Sequence, residues 1–239
     1  MDEIVIPVRT LGALNLPGYC PRCYWITLRC NGKFPFQIPM PGIFNSIDGY
    51  SKAVIHSYFD ANNVLPPWFP DVGPVSGYTP SRLLHWSLFR ISDAASKIVL
   101  RGTPDDVFRL SDGSYHIVDY KTAKATETQD GLYPLYEVQL NVYAWIAQEQ
   151  GLAPVVGLSL IYMEPETVVD GEMLKTVTGE DRYFLSFRAT MKNVNLNPGG
   201  MVPGLLKRAR EIYYMETAPA GNESCENCEL VSRLFGTLV

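Results

Sequence analysis

No stretch of the 239 residues approaches the roughly 20 consecutive apolar positions that a membrane-spanning helix requires. Met1 to Leu16, with Asp2 and Glu3 at its front, lacks the basic-then-apolar order of a secretory signal, so a cytoplasmic protein is expected. Internal repeats, low-complexity tracts and linker-like stretches are also missing, and the expectation is a single domain over residues 1–239. Positive charge is in deficit: 20 Lys and Arg stand against 25 Asp and Glu, for a net charge of −5. A general nucleic-acid binder is more often basic, so such a partner would have to meet basic groups gathered along one groove. Lys207, Arg208 and Arg210 on a late helix, with Lys121 and Lys124, are candidates for that groove; a solvated helix face is the simpler reading of the first three.

What is present is the composition of a soluble globular protein, 46% hydrophobic with mean hydropathy −0.02. The most informative stretch runs from Gly102 to Lys121. Two runs rich in β-formers, Val107 to Leu110 and Tyr115 to Lys121, flank Ser111-Asp112-Gly113, which reads as a hairpin turn. A three-residue loop with Gly113 in the left-handed position pairs Leu110 with Ser114 and sets Asp105 opposite Asp119. A two-residue turn would set Asp106 there instead; the three-residue loop is preferred. Side chains alternate along a strand, so Asp119 and Lys121 share a face while Val118 and Tyr120 take the other. Two carboxylates held this close repel unless a cation sits between them, and hard oxygen ligands suit Mg²⁺ or Mn²⁺. Lys121 adds a fixed positive charge that can hold a water or offset charge growing on a phosphate. The set is what metal-dependent phosphodiester cleavage needs. The plainer reading is an exposed strand face with a salt bridge.

Cysteine is scarce but placed with a pattern. Cys20-Pro21-Arg22-Cys23 and Cys225-Glu226-Asn227-Cys228 are Cys-x-x-Cys pairs at opposite ends of the chain, with Cys30 left over. Each pair has the spacing by which a short turn offers two thiolates to one metal, and two pairs complete a four-sulfur site suited to tetrahedral Zn²⁺. Disulfides fit poorly in a chain without export signals, and independent reduced cysteines are the plain alternative.

Around these sites the pattern is coarser. Pro35 to Gly42 is too proline-rich for regular structure. Asn45 or Ser46 is expected to cap a helix running to Ala61, with Lys52, His56 and Asp60 on one row at four-residue steps. Asn62 to Pro80 reads as a long loop, whose Trp68, Phe69 and Tyr78 either stack on bases or, more simply, pack on the core. Strands are expected at Leu83 to Arg90, Lys97 to Arg101, Pro154 to Met163 and Tyr183 to Val194, and helices at Tyr136 to Gln150 and Val202 to Met215. Thr122 to Gly131 reads as a polar connection. Gln139 and Tyr143, four apart, share a helix face. His116, an odd number of residues before Asp119, points from the opposite sheet face. The order suits an α/β fold with a mixed central sheet flanked by helices.

Gly102-x-Pro104-Asp105, Ile117-Val118-Asp119-Tyr120-Lys121-Thr122 and Gln139-x-x-x-Tyr143 together resemble the RecB-type branch of the PD-(D/E)XK nucleases, over a core from about Gly102 to Trp145. That branch includes nuclease domains of recombination helicases and CRISPR-adaptation nucleases. The resemblance implies a restriction-endonuclease-like fold and a DNA nuclease, exonuclease-type, that processes single- or double-stranded ends in repair, recombination or CRISPR adaptation, beside a helicase or an integrase. It implies Mg²⁺ or Mn²⁺ held by Asp105, Asp119, the Tyr120 carbonyl and His56, with Lys121, Gln139 and Tyr143 completing the catalytic set. His56-Ser-Tyr-Phe-Asp60 has aspartate where the family's helix motif ends in glutamate, and Lys52 stands where a glycine is usual. The resemblance also implies a [4Fe-4S] cluster joining the termini, built from one N-terminal and three C-terminal cysteines. Here the layout is two plus two, and cluster and zinc both stay open. Two further readings remain: a nucleic-acid-binding subunit without turnover, and a metalloprotein whose only ion is the sulfur-bound one.

Overall fold

The computed structural model describes residues 3–32, 41–124 and 127–238. In chain order the elements are β1 (Ile4–Pro7), α1 (Val8–Gly12) with a following 3-10 turn, α2 (Pro21–Arg29), α3 (Gly42–Asn62), β2 (Val75–Tyr78), β3 (Arg90–Asp93) and β4 (Ile98–Arg101). Next come β5 (Asp106–Leu110), β6 (Tyr115–Lys121), α4 (Glu127–Glu149), β7 (Val155–Pro165), α5 (Gly171–Val177), β8 (Phe187–Val194), α6 (Pro198–Tyr213) and α7 (Glu226–Leu238). The architecture is mixed α/β.

The β5–β6 hairpin has the three-residue loop its sequence calls for. Gly113 takes φ +88°, the Leu110 N–H donates to the Ser114 carbonyl at 2.8 Å, and Asp112 accepts from the Ser114 N–H and hydroxyl. The register pairs Asp106 with Val118 and Val107 with Ile117, and one step further brings Asp105 level with Asp119. β6 pairs in parallel with β7, a join that a tight turn cannot make, and α4 supplies the crossover between them. β2 and β8 close the edges of this five-stranded sheet, in the order β2-β5-β6-β7-β8. A second, three-stranded sheet runs β1-β4-β3, with β1 parallel to β4. The mixed central sheet expected from the pattern is the five-stranded one; the second sheet is an addition, because β1 is too short and too distant in sequence to announce its pairing with β4.

Alternation along β6 divides the interior. Val118 and Tyr120 pack with Ile55 of α3, Phe69, Phe108 and Ile161, whereas Ile117 joins the larger core around α4, which buries Val138, Leu140, Val142 and Ile146. Asp119 and Lys121 therefore face α4 and Tyr120 faces α3. His116 also leaves the Asp119 face; it is buried against Ser159 Oγ at 2.9 Å, and burial pulls its pKa down to about 4, so the ring is neutral.

Several boundaries move. Leu83 to Phe89 is a run of turns, closed by bonds from the Leu83 N–H to the Pro80 carbonyl and from the Leu88 N–H to the His85 carbonyl, and only Arg90–Asp93 extends as strand. α3 starts at Gly42, so Asn45 and Ser46 cap nothing; Ser46 Oγ bonds back to the Gly42 carbonyl inside the helix. α4 starts at Glu127 and takes Pro134 into its body, which absorbs the end of the expected polar connection; residues 125–126 of that connection lie outside the described ones. Of the proline-rich loop expected at 35–42, residues 35–40 likewise lie outside the described residues. α6 begins at Pro198, where Asn197 accepts from the Gly200 N–H at 3.1 Å. Arg208 and Arg210 are spent in packing: Arg208 lies over the Tyr19 ring, and Arg210 covers Tyr214 and reaches the Ser96 carbonyl. Among the described residues no helix is long and apolar enough to cross a membrane.

Candidate active site and cysteine centre

Asp105 precedes β5 by one residue, and Asp119 lies inside β6, so the hairpin register alone brings the two acids side by side. Asp105 Oδ2 accepts the Tyr120 backbone N–H at 2.7 Å. Asp119 Oδ1 accepts from Gln139 Nε2 at 2.9 Å; that amide also reaches the Tyr143 hydroxyl at 3.0 Å, and the hydroxyl donates to the Thr103 carbonyl at 3.1 Å. α4 thus fixes the acid through one chain, from Thr103 to Tyr143 to Gln139 to Asp119. Lys121 Nζ is ion-paired with Asp119 Oδ2 and lies 4.1 Å above the Tyr136 ring. Asp105, Asp119, Lys121, Gln139 and Tyr143 are together.

His56 is not in that group. Its Nε2 is 2.7 Å from Asp106 Oδ1 and its ring stacks on Tyr78 at 4.1 Å, while the Tyr120 hydroxyl donates to Asp106 Oδ2 at 2.6 Å. Neighbouring residues of a strand point to opposite faces, so Asp105 and Asp106 serve two different clusters, and Asp106 is fully buried on the α3 side. Of the loop aromatics, Phe69 is buried edge-on to Phe108 and Tyr120, and Trp68 is exposed.

α3 contributes more than His56. Asp48, Lys52, His56 and Asp60 form one row at four-residue steps, and the last three reach the sheet: Lys52 to Asp105 at 2.6 Å, His56 to Asp106, and Asp60 to the Tyr78 hydroxyl at 3.1 Å. Asp48 holds Lys52 from below at 2.9 Å. The row expected from the sequence, Lys52, His56 and Asp60, did not extend to Asp48 and gave Lys52 no part in the site.

The electrostatics show a shortage of positive charge. Burial, reinforced by Asp119, raises the Asp105 pKa well above the usual carboxylate range, even with Lys52 in contact. Burial acts to lower the Lys52 pKa, but Asp105 and Asp48 outweigh it and hold the ammonium firmly protonated. Asp119 Oδ2 is buried and, beyond its ion pair, has no hydrogen-bond partner among the described residues. A divalent cation fits this donor set: two hard carboxylates, one with a buried oxygen met only by the Lys121 ammonium, in a place where one more positive charge offsets the repulsion between the acids. A cavity of about 360 Å³ opens onto it, lined among others by Phe44, Asp48, Asp105, Lys121 and Tyr136. A larger one of about 720 Å³, between β7 and α5, shares none of these residues.

The second centre joins the chain ends. Cys20 caps α2, with Pro21 at its first position and Cys23 in its first turn; Cys225 precedes α7, with Cys228 in that first turn. The two pairs are equivalent, and their sulfurs meet. Cys20 and Cys228, Cys23 and Cys225, and Cys23 and Cys228 each stand 3.5 Å apart, and all four lie within 4.8 Å of one another. Around Cys20, burial acts to raise the thiol pKa, but backbone N–H groups of Cys23 and Asn222 bring it down to about 6, while burial and the neighbouring sulfurs raise Cys23 and Cys228. Such proton sharing is what a metal would replace. Arg22 to the Pro219 carbonyl, Trp25 to the Met215 carbonyl and Asn222 to the Tyr19 carbonyl add direct ties between the ends. Cys30 is exposed and stands apart.

Residues 74–233 match the model of the PD-(D/E)XK nuclease superfamily, about two thirds of the chain. The chain belongs to that superfamily. A solved structure described as the crystal structure of SSO0001 is similar in outline, with a TM-score of 0.42 and 15% identity over 97% of this chain and 86% of that one. No curated protein matches the chain. The superfamily match takes in the acid pair, Lys121, the Gln139 and Tyr143 helix and the second cysteine pair, whereas α3 and the first cysteine pair precede it.

Gly102 explains how the PD-(D/E)XK core packs so tightly here. A Cβ at this position would fall 2.4 Å from Tyr143 Cε1 and 2.9 Å from Val8 Cγ2. Only a bare Cα lets Tyr143 pass to Thr103. Gly102→Ala is expected to destabilise the fold by about 1–3 kcal/mol through overpacking and to slow any reaction that needs Gln139 aligned on Asp119. Urea denaturation checks the first effect.

Proposed function

We propose that this chain is a metal-dependent deoxyribonuclease that hydrolyses phosphodiester bonds. The observation that carries the reading is the Asp105 and Asp119 pair, opposed across one hairpin, with Lys121 on the same face as Asp119. Mg²⁺ or Mn²⁺ would be held by the two carboxylates and the Tyr120 carbonyl, with His56 a ligand only if its ring leaves Asp106; when bound, the ion polarises the scissile phosphate and acidifies a water. Lys121 aligns the attacking water and offsets charge on the phosphate as it becomes five-coordinate. Gln139 keeps Asp119 in one orientation and Tyr143 keeps Gln139 in place, so neither acid has to reorganise as charge builds.

The four cysteines form a structural centre that closes residues 1–239 into one unit. Sulfurs placed tetrahedrally at about 2.3 Å from one ion stand about 3.8 Å apart, which favours Zn²⁺ over a [4Fe-4S] cluster, whose ligand sulfurs bind separate irons. The motifs resemble the RecB-type branch, which makes DNA ends the substrate, processed exonucleolytically in repair, recombination or CRISPR adaptation beside a helicase or integrase.

The test is cleavage of end-labelled single- and double-stranded DNA with Mg²⁺ or Mn²⁺, against the same reactions in EDTA. Shortened, metal-dependent products are expected. DNA binding with no metal-dependent cleavage of either form would replace this reading with a binding subunit.

A further inference from the structure

We propose that Lys52 is a tethered competitor for the divalent cation at Asp105, one that withdraws onto Asp48 when the ion enters; the inference rests on the metal-dependent reading above. Asp105 has two oxygens to offer. Oδ2 is committed to the Tyr120 N–H at 2.7 Å, and Oδ1 carries the Lys52 ammonium at 2.6 Å. A metal bonded to Oδ1 at about 2.1 Å would sit within about 4 Å of Nζ, where like charges repel strongly. The ion and the ammonium cannot both keep their best position.

Asp48 makes the exchange possible. Its Oδ2 already lies 2.9 Å from Nζ, one helical turn before Lys52, and its side chain is 41% exposed against 18% for Asp105. The ammonium can therefore move toward the mouth of the cavity without losing its counter-ion. Because Asp48, Asp105 and Lys121 line the same cavity, the displaced charge stays beside any phosphate that enters. Without a metal, Lys52 is the cation in contact with Asp105 Oδ1. With a metal, it is a second cation at the entrance.

Mn²⁺ binding to the full chain, followed by electron paramagnetic resonance of the free ion, reads this without any cleavage. Mn²⁺ favours oxygen donors, so the four thiols do not compete. Lys52→Met is expected to tighten Mn²⁺ binding by about tenfold or more, the effect one neighbouring charge exerts on an ionisable site. Lys52→Arg, which keeps the charge, should bind much as the wild type does. Asp48→Asn should weaken binding a few-fold in the wild-type background and by less in Lys52→Met, where only the direct pull of its charge on the ion is lost. A Lys52→Met protein with wild-type circular dichroism and unchanged or weaker Mn²⁺ affinity overturns the proposal. If Asp105→Asn and Asp119→Asn both leave Mn²⁺ binding intact, the metal-dependent reading itself fails; if they abolish it and Lys52→Met changes nothing, only the role of Lys52 is lost.

Discussion

Exchanging Lys121 for methionine is expected to slow Mg²⁺-dependent DNA cleavage by roughly 10²–10³, the usual loss when one preorganised positive or donor group is removed from a developing anion. Methionine keeps a stem of similar length and removes the ammonium that lies over the Tyr136 ring and pairs with Asp119. The effect should fall on kcat and kcat/KM together, because the ammonium acts on charge that appears in the transition state rather than on bound substrate. Asp119→Asn should do more, since it removes an anionic ligand, and cleavage should fall to background. The fold should survive: the amide oxygen can still accept from Gln139, and ending the repulsion of Asp105 offsets part of the cost of losing the Lys121 ion pair. Single-turnover cleavage beside circular dichroism separates the two effects. Full activity in either variant would remove these residues from the mechanism.

The reason the acid pair could be read in advance is that it is a local object. Asp105 and Asp119 are joined by one short hairpin, and a single glycine with φ +88° fixes the loop length, hence the register, hence which acids oppose. The alternative pairing through Asp106 failed on the same geometry: one residue along, the side chain turns to the other face and is consumed by His56 and Tyr120. The same alternation took His56 away from the pair. Its place on a helix row was legible, but a row does not say which strand end it meets, and that is set by how Ile55 and Phe59 bury against the sheet. Lys52 was hidden for that reason. The start of α2 did carry a signal, since proline directly after Cys20 is a common first helical residue. β1 carried none, because its partner β4 lies some 90 residues away and four apolar positions are too few to name a register.

If the four sulfurs hold a metal as proposed, removing it is expected to destabilise the chain by about 3–5 kcal/mol, less than the ~10–16 kcal/mol that structural zinc gives peptides with no other means of folding. The difference comes from the ties that remain: Arg22, Trp25 and Asn222 still bond across the ends, and α2 still packs through Tyr24 and Leu28. α7 has less of that support: Leu230 and Phe235 are exposed, Val231 and Leu234 are half-buried, and Cys228 is the one residue of 226–236 that is fully buried, so the helix depends strongly on its cysteine. Cys228→Ser should therefore lose the metal, lower Tm and raise hydrogen exchange first in α7 and α2, while amides of β5 and β6 stay protected. Metal analysis of the wild type should give one zinc per chain in a colourless protein. Iron with acid-labile sulfide would reassign the centre as a cluster, and no bound metal at all would reduce the four sulfurs to a reduced thiol cluster. Because the β5–β6 hairpin closes on itself through Leu110 and Ser114, the proposed cleavage should persist in part in Cys228→Ser at low temperature and vanish on warming as the ends separate.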